Sequence, residues 1–266
     1  MTDSSAQVAD PRQAGAMGAQ PALGPTLAAL LEVDFSVQLR NYRSLMLSLV
    51  MPVVVLVALF ANKRAATLAD PRFRVSLVLM LGTATIAIFG YALSVARDRD
   101  AGVFQRLRVT PAPAWAIMAS RLVAQVAVIL LMAIVVLVVA RIFQNVILDG
   151  LAYALTLAVV VVGSAVFLGL GQALVGLVRS ADTLNAVSRL VYIPLFGLGL
   201  VGRTELLGST VENIARWSPG GIVATLLGAA MEPATWSSDA WWSLLACLAY
   251  TVAFVFIGIR WFQWGA

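Results

Sequence analysis

Few residues in this chain could do chemistry. In 266 residues there is no histidine, one cysteine (Cys247) and one lysine (Lys63). A lone cysteine inside an apolar run makes no internal disulfide and, without histidine, no Cys/His metal site. A phosphate-binding loop of the usual kind needs Gly-Lys-Ser/Thr, and Lys63 follows Asn62. Covalent or acid–base catalysis needs an activated nucleophile or paired acids. Ser164 has no candidate base beside it in sequence, and the predicted spans hold no Asp, Glu or His. Ion-coupled transport usually leaves ionisable groups at membrane depth. Only Arg189 qualifies, and no acid accompanies it. Any work done by this chain needs a free-energy source elsewhere, most simply a separate ATPase.

The charge that exists is concentrated. Arg97 to Arg121 carries five arginines and two aspartates between two strongly apolar segments. Gly102 to Val109 is long enough for two helical turns, with Val103 and Leu107 on one face and Phe104 and Arg108 on another. Pro111 stops that helix, and Pro113 suits the first turn of the next. Such a segment reads as a docking surface offered to something in the cytoplasm.

The surrounding elements must be membrane helices. The chain is 61% hydrophobic and 12% charged, against about 45–50% and about 25% in soluble domains. The net charge of +5 sits in short loops between apolar runs. It therefore reads as a topology signal rather than a nucleic-acid surface. Six spans are predicted: 45–61 (interrupted by Pro52), 75–96, 122–140, 151–178, 184–202 (kinked at Pro194) and 240–259. Residues 1–25 form a polar, disordered tail ahead of a single transmembrane domain over 26–266. They lack the pattern of a signal peptide.

Thr26 to Arg43 reads as a helix lying along the membrane surface. Its polar stripe is Glu32, Ser36, Arg40 and Arg43, and its apolar side holds Leu27, Leu30, Leu31, Val33 and Val37, interrupted by Asp34 and Gln38. Ala165, Gly169 and Ala173 form a small-residue stripe for close helix packing, with a dimer or cargo-lining face as the alternative. Arg189 either snorkels to the edge of the membrane or lines a polar cavity. Gly221 to Met231 is too short to cross and reads as a re-entrant or interfacial segment, entered through Trp217-Ser218-Pro219-Gly220. Trp236, Trp241, Trp242, Trp261 and Trp264 mark the two interfaces. Six spans put both termini on one side. Cationic residues number 11 on the side of the Arg97 segment and 7 on the other, which places that segment and both termini inside.

The segment Arg97-Asp98-Arg99-Asp100, Ala101-Gly102 and Leu107-Arg108-Val109-Thr110-Pro111 resembles the cytoplasmic signature of the ABC transporter type-2 permeases. Asp100 stands where that family often has Glu, Val103 replaces a usual Thr, and Gln105 stands where Glu is common. The likeness of pattern runs over about residues 26 to 262. The resemblance implies an all-α integral membrane protein of six spans, with an elbow helix (Leu31, Phe35, Arg40), a coupling helix and an external re-entrant segment (Trp217, Pro219, Gly220). It implies a half-transporter in the cytoplasmic membrane of a bacterium. A second permease chain, identical or paralogous, would pair with it among the membrane lipids. A cytoplasmic ABC ATPase subunit would carry the ATP and Mg, so this chain would need no cofactor and would not itself be an enzyme. The ATPase-coupling residues would be Arg97, Asp98, Arg99, Asp100, Gly102, Val103, Arg106, Leu107, Arg108, Thr110 and Pro111. Arg189 and Gly169 are the candidates for a cargo cavity. The scarcity of charge in the spans suits efflux of a hydrophobic or amphiphilic molecule such as a drug, antibiotic or lipid. A lipid-linked polysaccharide is the same-family alternative. A non-transporting scaffold or sensor and a lipid-modifying membrane enzyme are the rival classes.

Overall fold

The computed structural model describes residues 23–61, 70–107, 114–201 and 208–261. Among these residues every regular element is a helix. The helices are α1 (Leu23–Arg40), α2 (Tyr42–Ala61), α3 (Pro71–Thr85), a π-helical segment (Ile86–Ala92), α4 (Leu93–Asp100) and α5 (Val103–Leu107). Then follow α6 (Ala114–Gln144), α7 (Gly150–Leu177), α8 (Ala181–Val201), α9 (Ser209–Trp217), α10 (Pro219–Met231) and α11 (Ser238–Trp261). Among the described residues four helices are long and apolar enough to cross a membrane: Pro71–Asp100, Trp115–Gln144, Gly150–Leu177 and Ser238–Trp261. The pair α1 and α2, bent by 64°, passes the same test together. The protein is an all-α membrane protein.

The rod Pro71–Asp100 is the centre of the bundle. Its apolar window is 83% buried, against 17% for α11. It packs on α2, α6, α7, α8 and α10, so nearly all its faces have protein neighbours. It starts earlier and ends later than the sequence implied. Asp70 accepts a hydrogen bond from the Arg72 backbone amide and Pro71 takes the first helical position, so Arg72 and Arg74 are helical rather than in a loop. Arg74 is buried, with its guanidinium 3.9 Å from the Phe60 ring centroid. That contact recovers by cation–π attraction part of what burial of the charge costs. At the other end Arg97 to Asp100 forms the last turn of the rod instead of beginning a loop.

The π segment widens the rod by one residue per turn, a feature concentrated at functional sites. The backbone carbonyl of Ile86 accepts a hydrogen bond from Gln125 Nε2 of α6 at 3.4 Å. The wider turn meets α7 at Gly171, where a Cβ would lie 2.9 Å from the Ala87 carbonyl oxygen. Backbone cannot move aside as a side chain could. Gly171→Val is therefore expected to lower stability by about 1–3 kcal/mol. An unchanged melting temperature of the purified protein would show that this approach is not fixed.

α7 is floor to several partners. It packs on α11, α10 and the π segment. Of the small-residue stripe, Gly169 faces Phe254 and the Thr251 carbonyl, and beyond the stripe Gly176 faces the Gly258 backbone. The Asp149 side chain caps α7 through Ala152 N. The short apolar run expected to be re-entrant is the buried helix α10. Ser218 caps it through Gly221 N, and Pro219 opens it. Its 13 residues would reach about 20 Å, short of a hydrocarbon core of about 30 Å. At this end the bundle is stitched by Arg72–Glu232 at 2.8 Å and by Arg216–Asp239.

Candidate functional site

The signature segment lies at the opposite end from α10, where α4, α5, α6, α7 and α8 meet. It is built in three steps. First, the rod must stop and turn. Ala101 N and Gly102 N close the last turn onto the carbonyls of Arg97 and Arg99, and Gly102 takes φ of 70°. A left-handed residue after a helix end favours glycine. That turn aims the short helix α5 across the end of the bundle.

Second, α5 is anchored by an aromatic residue. Phe104 is 3% exposed and belongs to the core. The Arg121 guanidinium sits 5.4 Å from its ring centroid. The same guanidinium pairs with Asp98 at 2.5 Å. One arginine of α6 thus clamps both the end of the rod and the short helix. Both partners are only partly exposed, so the pair is screened less than a surface bridge. Arg121 and Phe104 were outside the expected set. Their signal was present: Phe104 is the bulkiest apolar side chain of a short polar helix, and Arg121 is the one arginine of the stretch beyond its prolines.

Third, the acidic-basic pair is turned onto two neighbouring helices. Arg99 Nη1 donates to the Val175 carbonyl at 2.8 Å, near the end of α7. The Asp100 side chain accepts from Ala181 N at 2.7 Å, the first residue of α8, and its other oxygen lies 3.5 Å from Arg99 Nε. Asp100 therefore caps α8 from another helix, satisfying one of its free amides at the positive end of its dipole. One turn of helix ties the rod to two further helices. Arg97 remains exposed and Val103 half-buried. Arg106 and Leu107 lie in α5. Arg108, Thr110 and Pro111 lie outside the described residues.

The expected elbow helix is α1, followed by a turn at Asn41. Its apolar side is placed differently from the sequence reading. Leu27, Leu30, Leu31, Asp34 and Gln38 share the partly buried face, and Val33 and Val37 are exposed. Asp34 is turned to the protein because Ser120 Oγ of α6 donates to it at 2.5 Å. Asp34, which looked like an interruption of the lipid face, is a contact to the bundle. Phe35 and Arg40 are exposed.

Two cavities flank the rod at membrane depth. The first, of about 610 Å³, lies between α2, the rod and α8, and is lined by Met51, Pro52, Gly82, Thr85, Phe89 and Tyr192, with Phe196 at its edge. Its polar groups include Thr85 Oγ1 and Tyr192 OH, 2.8 Å apart, and Phe89 meets the Tyr192 ring edge-on. Exposed apolar residues of α2 (Leu47, Met51) and α8 (Ile193, Phe196) line it. Arg189 is exposed and shares the stripe of Ile193 and Phe196 at spacings of four and three, on the turn nearer Asp100. Gly169 does not line this cavity. It lies in the second, between α6, α7 and α11. Trp217 accepts a hydrogen bond through its carbonyl from Tyr250 OH, and Gly220 lies against Leu195 of α8.

The model of the ABC-2 type transporter family matches residues 26–227. A comparison with curated proteins gives no match. The match takes in α1 to α9 and most of α10. It covers the signature turn, the clamp at Arg121 and the first cavity, in a domain type that is a permease rather than an ATPase. The chain belongs to the ABC-2 type transporter family and is a transmembrane transporter subunit.

Proposed function

We propose that this subunit exports a hydrophobic or amphiphilic molecule across the bacterial cytoplasmic membrane, driven by a separate ABC ATPase that carries the ATP and Mg. The observation that carries the reading is the pair Arg99–Asp100, which ties the end of the rod, just before the short helix α5, to the adjoining ends of α7 and α8. The ATPase binds the Arg97 end, at α5 and the segment through Pro111. Closure of the ATPases pushes on α5. The push reaches α8 through Asp100 and the rod through Gly102. In this reading α2 and α8 complete a count of six spans, the signature end is cytoplasmic, and both termini lie on that side.

A second permease chain covers the exposed apolar faces of α2 and α8, and the cavity of about 610 Å³ becomes part of the cargo path between the two. Its mostly apolar wall with a hydroxyl pair suits a lipophilic cargo carrying a hydrogen-bonding group. Phe196→Ala is expected to raise the cargo concentration for half-maximal transport by about three- to tenfold, the order of a partial aromatic contact. Unchanged half-saturation for several lipophilic cargoes would remove α8 from the path.

The test of the reading as a whole is extraction of the tagged protein in mild detergent. A stoichiometric partner bearing a P-loop, with ATPase activity raised by lipophilic compounds, is the expected result. A clean preparation without an ATPase, both in detergent and in lipid nanodiscs, overturns it.

A further inference from the structure

The second cavity, of about 600 Å³, has a different neighbourhood from the first. α6 and α11 both lean on α7 without packing substantially on each other. The gap is walled by Trp115 and Leu122 of α6 and by Val255 and Ile259 of α11, with Ala165 and Gly169 of α7 at its floor. It opens sideways, since Trp115, Val161, Val255 and Ile259 are all exposed. Along α6 it runs from Trp115 to Val126. That is about 16 Å, close to one leaflet of a core about 30 Å thick. The leaflet is the one at the Arg97 end.

The wall asks for nothing polar. Ser164 Oγ donates to the Val161 carbonyl, Thr251 Oγ1 to the Cys247 carbonyl, and Tyr91 OH to Gln172 Oε1. Hydroxyls satisfied within the protein leave an apolar slot that a peptide or sugar would fill at the cost of its own hydrogen bonds. The mouth is different. Arg260, next to Ile259, is exposed and makes no ion pair with any described residue, and Trp115 and Trp261 are exposed beside the same interface. An alkyl slot one leaflet deep, with Trp115 in its wall and an exposed cation and tryptophan in the two residues that follow Ile259, matches the build of one ligand.

We propose that the groove between α6, α7 and α11 holds an acyl chain of an anionic phospholipid, whose headgroup meets Arg260. The seated chain props α6 from α11 and lies against Tyr91 of the π segment, so the lipid sets the packing around the rod. The inference needs neither the cargo nor the ATPase.

The test uses the full chain in mild detergent, with any partner that accompanies it. Brominated phosphatidylglycerol and brominated phosphatidylcholine, with bromine on the acyl chains, are titrated in. The Trp115 contribution to fluorescence is taken by difference against Trp115→Phe. Trp115 is expected to be quenched with about fivefold preference for the anionic lipid, the size expected of one arginine beside an anionic headgroup. Arg260→Gln is expected to equalise the two lipids while quenching persists. Ala165→Phe fills the floor and is expected to remove the Trp115 quenching and leave the other tryptophans unchanged. Equal quenching by both lipids in the native chain overturns the proposal, as does quenching that survives Ala165→Phe. Displacement of the lipid by a transported dye, with loss of its transport in Ala165→Phe, makes the groove a cargo path instead. Disulfide-linked pairs formed by Val255→Cys make it an interface between two copies. The exporter reading fails separately, through the missing P-loop partner.

Discussion

Leu107→Asp is expected to abolish ATP-driven transport while the protein still inserts in the membrane and retains its fold. Leu107 closes α5, three residues after the buried Phe104. A short amphipathic helix that docks in a groove does so through one or two apolar anchors ringed by polar residues. A carboxylate at such a position must be desolvated against apolar surface without a partner, at a cost of several kcal/mol. That amounts to a loss of docking of about a hundredfold or more. The measurement is transport into reconstituted vesicles, beside co-purification of the ATPase and melting temperature of the permease. Expected are no transport, a weakened partner and unchanged melting. Transport at the native rate would remove α5 from the coupling path.

Asp100→Ala tests the next link, from α5 and the rod into α8. The Asp100 carboxylate caps α8 at Ala181 N and lies beside the Arg99 guanidinium. Loss of a cap costs about 0.5–2 kcal/mol. The Arg99 side chain, 7% exposed, would keep its bond to the Val175 carbonyl but lose its nearby carboxylate. The loss therefore falls on the connection between helices rather than on the fold. ATPase binding is expected to persist, with cargo-stimulated ATPase and transport both reduced by about tenfold or more. Asp100→Asn keeps an acceptor for Ala181 N, so it is expected to restore much of the activity. Equal loss in both variants would mean that the charge acts outside the cap, for example on the ATPase itself. The Gly171→Val and Phe196→Ala predictions address other parts of the bundle, its packing and its cargo face.

The membrane class and its broad plan were legible in sequence, because apolar runs of membrane length leave little alternative. The four helices long and apolar enough to cross overlap the predicted runs 75–96, 122–140, 151–178 and 240–259, with different ends. Ends depend on caps such as Asp70 with Pro71, and on where a turn such as Gly102 releases the chain. Within the signature motif the contacts were not legible, because Asp98, Arg99 and Asp100 follow one another in sequence yet pair with three different helices.

Sequence alone therefore determined that the chain lives in a membrane as helices and gathers a dense cluster of charge between Arg97 and Arg121. It also determined that the chain lacks the usual ATP-binding loop. Those properties follow from composition and local order, which hydropathy and motif spacing express directly. Tertiary structure alone decided which side of α1 meets the bundle, since Asp34 is drawn inward by Ser120, 86 positions away. It decided that Gly169 and Arg189 belong to different faces, and that the central rod widens into a π segment against Gly171. Each of these rests on contacts between residues far apart in the chain. Helical periodicity fixes only which residues share a face. Packing against other helices fixes what that face meets.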